Sequence, residues 1–273
     1  MSIAFACAVS HAPGIVAWRD AAPVEQRERL YAGLDALRGR IAAARPDELV
    51  LFTCEHWTNF FLDHVSPFCI GRADKYVGPV EPWLKIAKTE IAGDPELATA
   101  MLEHCYANDL EPGFAFELEL DHGTIIPLHF LTPGFGLPIV PVMFNTLAAP
   151  QPSVRRAFAL GRNLGEVIRR CPRRIGLIAT GGMSHDPGER NHGVIDEKLD
   201  REFLAAMSAG DVERITRWTT QEFAAAGAGT IELLSWVALA GALGRFRGEV
   251  VAYEPVKPWA TGMGLMWLEE HGA

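Results

Sequence analysis

Four short apolar runs constrain this chain most. They are IAFACAV at 3–9, LVLFT at 49–53, IVPVMF at 139–144 and RIGLIAT at 174–180. Each has the length of a strand, and apart from the leading arginine of the last none alternates with polar residues. A strand that is apolar on both sides must be covered on both sides, which is the signature of a parallel sheet between helices. The segments between the runs carry the helices. One begins near Pro23 and places Leu30, Leu34, Leu37 and Ile41 on one face, with Pro46 closing it. Others are expected over 94–107 and 153–170, the latter turning Phe158, Leu164, Val167 and Ile168 inward, and two or three more follow to about residue 243. GEVVAY at 248–253 reads as a late strand, and 56–83, rich in aromatics and prolines, reads as irregular. The expectation is an α/β fold with a mixed, largely parallel central sheet sandwiched by helices. No repeat, linker or low-complexity stretch divides the chain, so residues 1–273 read as a single domain.

Composition excludes several functions. Lys+Arg 25 against Asp+Glu 34 leaves a net charge of −9 with no basic run, a poor match to nucleic acid. No apolar run approaches the roughly 20 residues that span a bilayer, so no membrane is expected. The first run lacks the basic flank of a secretory signal and reads as a strand. The five cysteines, Cys7, Cys54, Cys69, Cys105 and Cys171, form no C-x-x-C pair and read as reduced thiols of a cytoplasmic protein.

The histidines carry the chemistry by position. His11 follows the first run, His56 the second, and His185 the fourth, just past Gly181-Gly182. Ligands of open α/β sheets bind outside the carboxyl ends of the strands, so these imidazoles are expected on one rim. The sequence has no H-E-x-x-H, no G-x-S-x-G, no G-x-G-x-x-G after a strand and no phosphate-binding P-loop. That disfavours zincins, serine hydrolases and nucleotide cofactors. Two histidines with one acid would make the facial triad of a non-haem iron(II) oxygenase. Many acids are available. Glu232 stands out because it opens the apolar stretch IELLSWV, where an unpaired carboxylate is costly to bury; a helix-dipole charge is the plainer reading.

Several motifs in fixed order carry a resemblance. They are SHAPG at 10–14, PDELVLFTCEHWTNFFLDHVSPFCIG at 46–71, DHGTIIPLHFL at 121–131, LPIVPVMFN at 137–145, ATGGMSHDPG at 179–188, GTIELLSW at 229–236 and WATGMGLM at 259–266. Together they resemble the class III extradiol ring-cleavage dioxygenases, the superfamily of the protocatechuate 4,5-dioxygenase catalytic subunit, and within it the 2,3-dihydroxyphenylpropionate 1,2-dioxygenases. The resemblance implies an Fe(2+) site with His11, His56 and Glu232 as ligands. It implies acid–base roles for His122 and His185, with His185 the base and His122 the acid. It implies a small aromatic diol and O2 as substrates, and an α/β sandwich as the fold.

Beside His56, Asn59, Phe60 and Phe61 are candidates to line the ring pocket, as are Pro67 and Phe68; Trp57 and Trp259 are candidates to stack on an aromatic ring. Arg72, Arg190 and Lys257 are equal candidates to meet a carboxylate on the ring. His64, His129 and His192 read as structural or surface residues, and His104 and His271 as solvent-facing. Glu55 stands where the family commonly has aspartate, and the stretch from His185 to Glu232 is shorter than in the dihydroxyphenylpropionate enzymes, which bears on the substrate lid. Substituted catechols, gallate-type triols and dihydroxypyridines all remain open as substrates. The chain carries no small-subunit domain, so a two-subunit arrangement would need a partner. A homo-oligomer is expected at this size. A metal-dependent hydrolase on the same scaffold and a non-catalytic binding relative are the competing readings.

Overall fold

The expected strands pair into one eight-stranded sheet in the order β6-β3-β7-β2-β8-β1-β10-β9. The computed structural model describes residues 2–188 and 191–271. The strands are β1 (Ile3–Val9), β2 (Glu48–Cys54), β3 (Phe68–Gly71), β4 (Lys75–Gly78), β5 (Thr89–Ala92), β6 (Gly113–Ala115), β7 (Ile139–Phe144), β8 (Ile175–Thr180), β9 (Phe246–Val256) and β10 (Thr261–Glu270). The central four, β7-β2-β8-β1, are parallel to one another. Antiparallel pairs flank them, β3 on β7 at one side and β10 with β9 at the other. β4 and β5 form a separate antiparallel pair.

The helices are α1 (Gly14–Ala17), α2 (Val24–Ala44), α3 (Pro95–Tyr106), α4 (His122–Leu131), α5 (Val154–Arg170), α6 (Glu197–Ala209), α7 (Val212–Ile215), α8 (Thr220–Ala225) and α9 (Leu233–Leu243). They cover both faces of the sheet. Val50 and Phe52 of β2, Val142 of β7 and Leu177 of β8 pack under α3, α5, α6 and α9. Their strand neighbours Leu49, Leu51 and Ile178 pack on the other face under α2, α4 and the β4–β5 pair. This double burial is why the runs lack polar alternation.

Several elements went unread in the sequence. The segment 56–83, expected to be irregular, holds β3 and β4. Four-residue strands are too short to show a period. β10 is interrupted by Gly262 and Gly264, which dilute a strand pattern, and α4 carries Pro127 in its interior. β9 extends well beyond 248–253 on both sides. Pro23 is the N-cap, immediately before the first helical residue Val24. The same helix ends on Arg45 in the left-handed region, one residue before Pro46.

One contact between helices bears directly on the site, because α9 begins immediately after Glu232. Its backbone lies against α5, where a methyl group built on Gly161 would overlap the carbonyl of Ala238 and one on Gly165 would overlap that of Ala242. Only glycine lets the two helices approach so closely. Gly161→Ala should therefore lower the unfolding free energy by roughly 1–3 kcal/mol through overpacking. Chemical denaturation measures this directly, and an unchanged midpoint would show that the helices separate freely.

Candidate metal centre

The parallel strands end on a common rim, and the rim collects the histidines. His11 lies two residues beyond β1, His56 two residues beyond β2, and Gly181-Gly182 follows β8. His122 is the first residue of α4, and Glu232 is the residue from which α9 starts. The start of α9 is docked on the end of β8. The Ser235 hydroxyl hydrogen-bonds the Thr180 carbonyl (2.6 Å), and the Trp236 indole donates to the Gly181 carbonyl (3.1 Å). Gly181 has φ +122, and a Cβ there would press on the Glu232 side chain. The next amide, Gly182 N–H, donates to Glu232 Oε2 at 2.7 Å.

Three imidazoles converge on the Glu232 carboxylate. His11 Nε2 lies 3.3 Å from Oε2, while His56 Nε2 and His185 Nε2 lie 3.3 and 3.5 Å from Oε1. Glu232 is 2% exposed and His11 3%. Each ring is oriented through its other nitrogen. His56 Nδ1 donates to Asp121 (3.0 Å), His185 Nδ1 to the Met183 carbonyl (2.8 Å) and His122 Nδ1 to Glu81 (2.6 Å). His11 Nδ1 lies 3.2 Å from the Thr180 hydroxyl. That hydroxyl has one hydrogen and two acceptors at 2.9 Å, the Gly123 carbonyl and the Thr53 hydroxyl; donating to either leaves it to accept from His11. With Nδ1 engaged in all four rings, Nε2 is the nitrogen left for the centre, and those of His11, His56 and His185 already face Glu232. Fixing a ligating imidazole through its far nitrogen is how metal sites set tautomer and aim.

The donor set fits a divalent ion. An ion about 2.0–2.2 Å from each donor places neighbouring donors about 3 Å apart, and the nitrogens of His11 and His56 stand 3.3 Å from the carboxylate oxygens. The Cys54 thiol approaches the same centre, 4.0 Å from His11 Nε2. His56, Asp121 and His122 form a second, overlapping group of donor atoms. His56 and His122 stack with centroids 4.0 Å apart.

Electrostatics follow the geometry. Burial opposes ionisation of Glu232, yet His185 and His11 hold its carboxyl well below the usual range. Burial also opposes a charged His11, but Glu232 outweighs it and pushes that imidazole up to about 10. His56 is likewise held well above its ordinary value by Asp121 against the effect of burial. His122 goes the other way: burial and the neighbouring His56 lower it, with Glu81 pulling against them.

A cavity of about 830 Å³ opens over this centre. His11, His56, His122, His185 and Glu232 line its floor, and Trp18, Trp57, Leu147, Pro187, Trp259 and Ile231 line its walls. Asn59, Phe60 and Phe61 do not line it. Trp57 adopts φ +56, and the Glu55 carboxylate binds the amides of Thr58 and Asn59 (2.7 and 2.9 Å), so the chain turns outward. Asn59 then bonds the backbone of Glu119, Phe60 faces a separate narrow cleft, and Phe61 is exposed. Pro67 and Phe68 do not line the cavity either, Phe68 being core. Arg72 is engaged with Thr99 and Phe116. Lys257 adjoins the lining residue Pro258, and Arg190 lies outside the described residues. His192 sits at the cavity edge. His104 is not solvent-facing as expected: its side chain is mostly covered and lies 3.1 Å from Glu166.

Sequence reasoning missed the residues that orient the histidines. Glu81 binds both the amide and Nδ1 of His122, and its other oxygen is buried without a partner. Asp121 caps α4 through the Gly123 amide while holding His56 with its second oxygen. Asp200, fully buried, binds the amide and hydroxyl of Ser184, the residue before His185, and accepts from Tyr253. Asp121 was legible as half of D-H-G; Glu81 and Asp200 carry no local signal.

Residues 5–264 match the family described as the catalytic LigB subunit of aromatic ring-opening dioxygenase. Among curated proteins, the chain is 26% identical to a 2,3-dihydroxyphenylpropionate/2,3-dihydroxicinnamic acid 1,2-dioxygenase of Cupriavidus necator, covering 98% of this chain and 99% of that one. It is 28% identical to the protein of the same name from Burkholderia vietnamiensis, covering 96% of each. Among solved structures it resembles an uncharacterized protein of Escherichia coli K12, with a TM-score of 0.61 at 14% identity over 96% of this chain and 98% of that one. No helix among the described residues is long and apolar enough to cross a membrane.

The paired charges set a pH dependence. In the metal-free protein Glu232 beside His11 and Asp121 beside His56 favour the charged imidazoles over the neutral ones, against the effect of burial. That contribution to stability is complete below the unfolded-state pKa, about 6.5, and for His11 is lost as pH rises through about 10. A divalent ion needs both rings neutral, so it displaces their protons, and its affinity rises with pH. Adding Mn(II) at pH 7 in a weakly buffered solution should release close to two protons per ion bound. Binding without acidification would contradict the donor assignment.

Proposed function

Because the chain belongs to the family described as the catalytic LigB subunit of aromatic ring-opening dioxygenase, we propose that it cleaves a dihydroxy-aromatic ring, a substituted catechol or a close relative, in the extradiol (meta) sense. The reaction uses O2 and Fe(2+) held by His11, His56 and Glu232. The observation that carries this reading is the convergence of two Nε2 atoms on one buried carboxylate beneath a ring-accommodating cavity. Two neutral imidazoles and one carboxylate are the donor set of non-haem iron oxygenases. The bound ion supplies Lewis acidity that favours the ionised diol and the electrons that activate dioxygen.

The chain's own residues handle the protons. His185 Nε2 faces the centre with Nδ1 committed to the Met183 carbonyl, so it collects the first diol proton as general base. His122 enters neutral, since its proton affinity is lowered. It therefore serves as acid only after receiving a proton of its own, the second from the diol, and returns it as the ring opens. Glu81 behind it stabilises the charged ring during that interval. The apolar walls exclude bulk water. Diol and dioxygen combine into one product that retains both oxygen atoms: the O–O bond breaks, and so does the ring bond between one hydroxyl-bearing carbon and its neighbour outside the diol.

Protein loaded anaerobically with ferrous ion should consume O2 with a catechol and release a yellow ring-opened product. His11→Ala should lose most of its iron. His185→Ala should keep iron and lose turnover by about 10²–10⁴-fold, the usual worth of a positioned acid–base group. Equal iron loss in both variants would reverse the ligand and base assignments. A failure to take up O2 with any diol, together with zinc-dependent hydrolysis, would favour the hydrolase reading.

A further inference from the structure

The cavity is far larger than one diol ring. At about 830 Å³ it lies toward the top of the roughly 300–1,000 Å³ range of ligand pockets. Its wall carries indoles, Trp18 among them. Trp18 stacks on Trp83, with ring centroids 5.6 Å apart at an interplanar angle of 16°. Trp83 in turn lies 6.0 Å from the His122 ring, tilted by 50°. Trp18, which lines the cavity, is 57% exposed, and Trp83 behind it 42%. Two indoles held in water are unfavourable as packing. The Trp259 indole donates to the Trp18 carbonyl at 3.0 Å, which holds the Trp18 backbone beside the cavity. Trp259 and Trp57 also line the cavity.

We propose that the diol ring carries an aryl or similarly flat apolar substituent, which leaves the metal centre along this wall and stacks on Trp18. The inference rests on the dioxygenase reading for the position of the diol. It goes beyond the relatives, whose named substrates carry a short carboxylate tail. Stacking on an exposed indole rewards a planar group over a methyl because the flat faces bury area in offset register. Among the described residues no lysine or arginine lines the cavity, so outside the metal centre the hydroxyl, amide and imidazole side chains available to a tail are those of Thr146, Gln151, His192 and Thr261.

Anaerobic binding tests this without turnover. 3-Phenylcatechol, 3-methylcatechol and 3-(2-carboxyethyl)catechol are titrated against the metal-loaded protein and followed by calorimetry. The phenyl compound should bind about tenfold more tightly than the methyl compound. Trp18→Ala should abolish most of that preference and Trp18→Phe should retain it. Trp83→Ala, which removes the support behind Trp18, should reduce it. Equal binding of all three, tightest binding of the carboxyethyl compound, or a phenyl preference untouched by both alanine variants would overturn the proposal, even if O2 is consumed normally. So would a loss of oligomeric mass in Trp18→Ala with selectivity intact, since the indoles would then be a subunit contact. An absence of O2 uptake with every diol would instead defeat the dioxygenase reading, and the binding preference would still be scored on its own terms.

Discussion

A carboxylate buried to 2% exposure at the end of a parallel sheet is the constraint on which this site depends. Taking such a charge out of water costs several kcal/mol even after relaxation, so the charge persists only if donors or cations surround it. Around Glu232 the Gly182 amide and the Nε2 atoms of His11, His56 and His185 do so. That requirement propagates outward. Each ring can present Nε2 inward only if Nδ1 is engaged elsewhere, and Thr180, Asp121 and the Met183 carbonyl engage them. Two protons on His11 and His56 and one divalent ion carry the same charge, so metal loading leaves the buried balance intact.

The scaffold delivers these groups through backbone geometry more than through flexible side chains. The parallel strands β1, β2 and β8 end together, which brings residues 11, 56 and 181 to one edge. The approach of α9 to α5, with glycine at the crossing, sets where Glu232 begins its helix. Asp121 couples the two levels, since one oxygen caps α4 and the other holds His56. Asp200 does the same for His185, fastening Ser184 to α6. The loop carrying His185 is also paired to the start of β10, through Met183 N–H to Gly262 and Gly262 N–H to Ser184.

The central parallel strands and the helices α2, α3 and α5 were legible because burial on both faces, or on one helical stripe, leaves a periodic mark. β3, β4 and β10 left none, being short or punctuated by glycine. The positions of His11, His56 and His185 at strand ends pointed to a shared rim. Glu232 stood out among 34 acids because it opens an apolar stretch, but its role as a ligand and the roles of His122 and His185 came through resemblance. Adjacency in sequence misled for Asn59, Phe60 and Phe61, because the turn at Trp57 carries them away from the cavity. Glu81 and Asp200 reach the histidines from distant elements, and a contact across 41 residues, as between Glu81 and His122, has no local trace.

Anomalous diffraction at the iron edge, on crystals grown anaerobically with ferrous ion, addresses the centre most directly. A single peak within about 2.0–2.3 Å of His11 Nε2, His56 Nε2 and a Glu232 oxygen is expected, the range of ordinary metal–ligand bonds. An ion seated instead among His56, Asp121 and His122, leaving His11 and Glu232 uncoordinated, would contradict it.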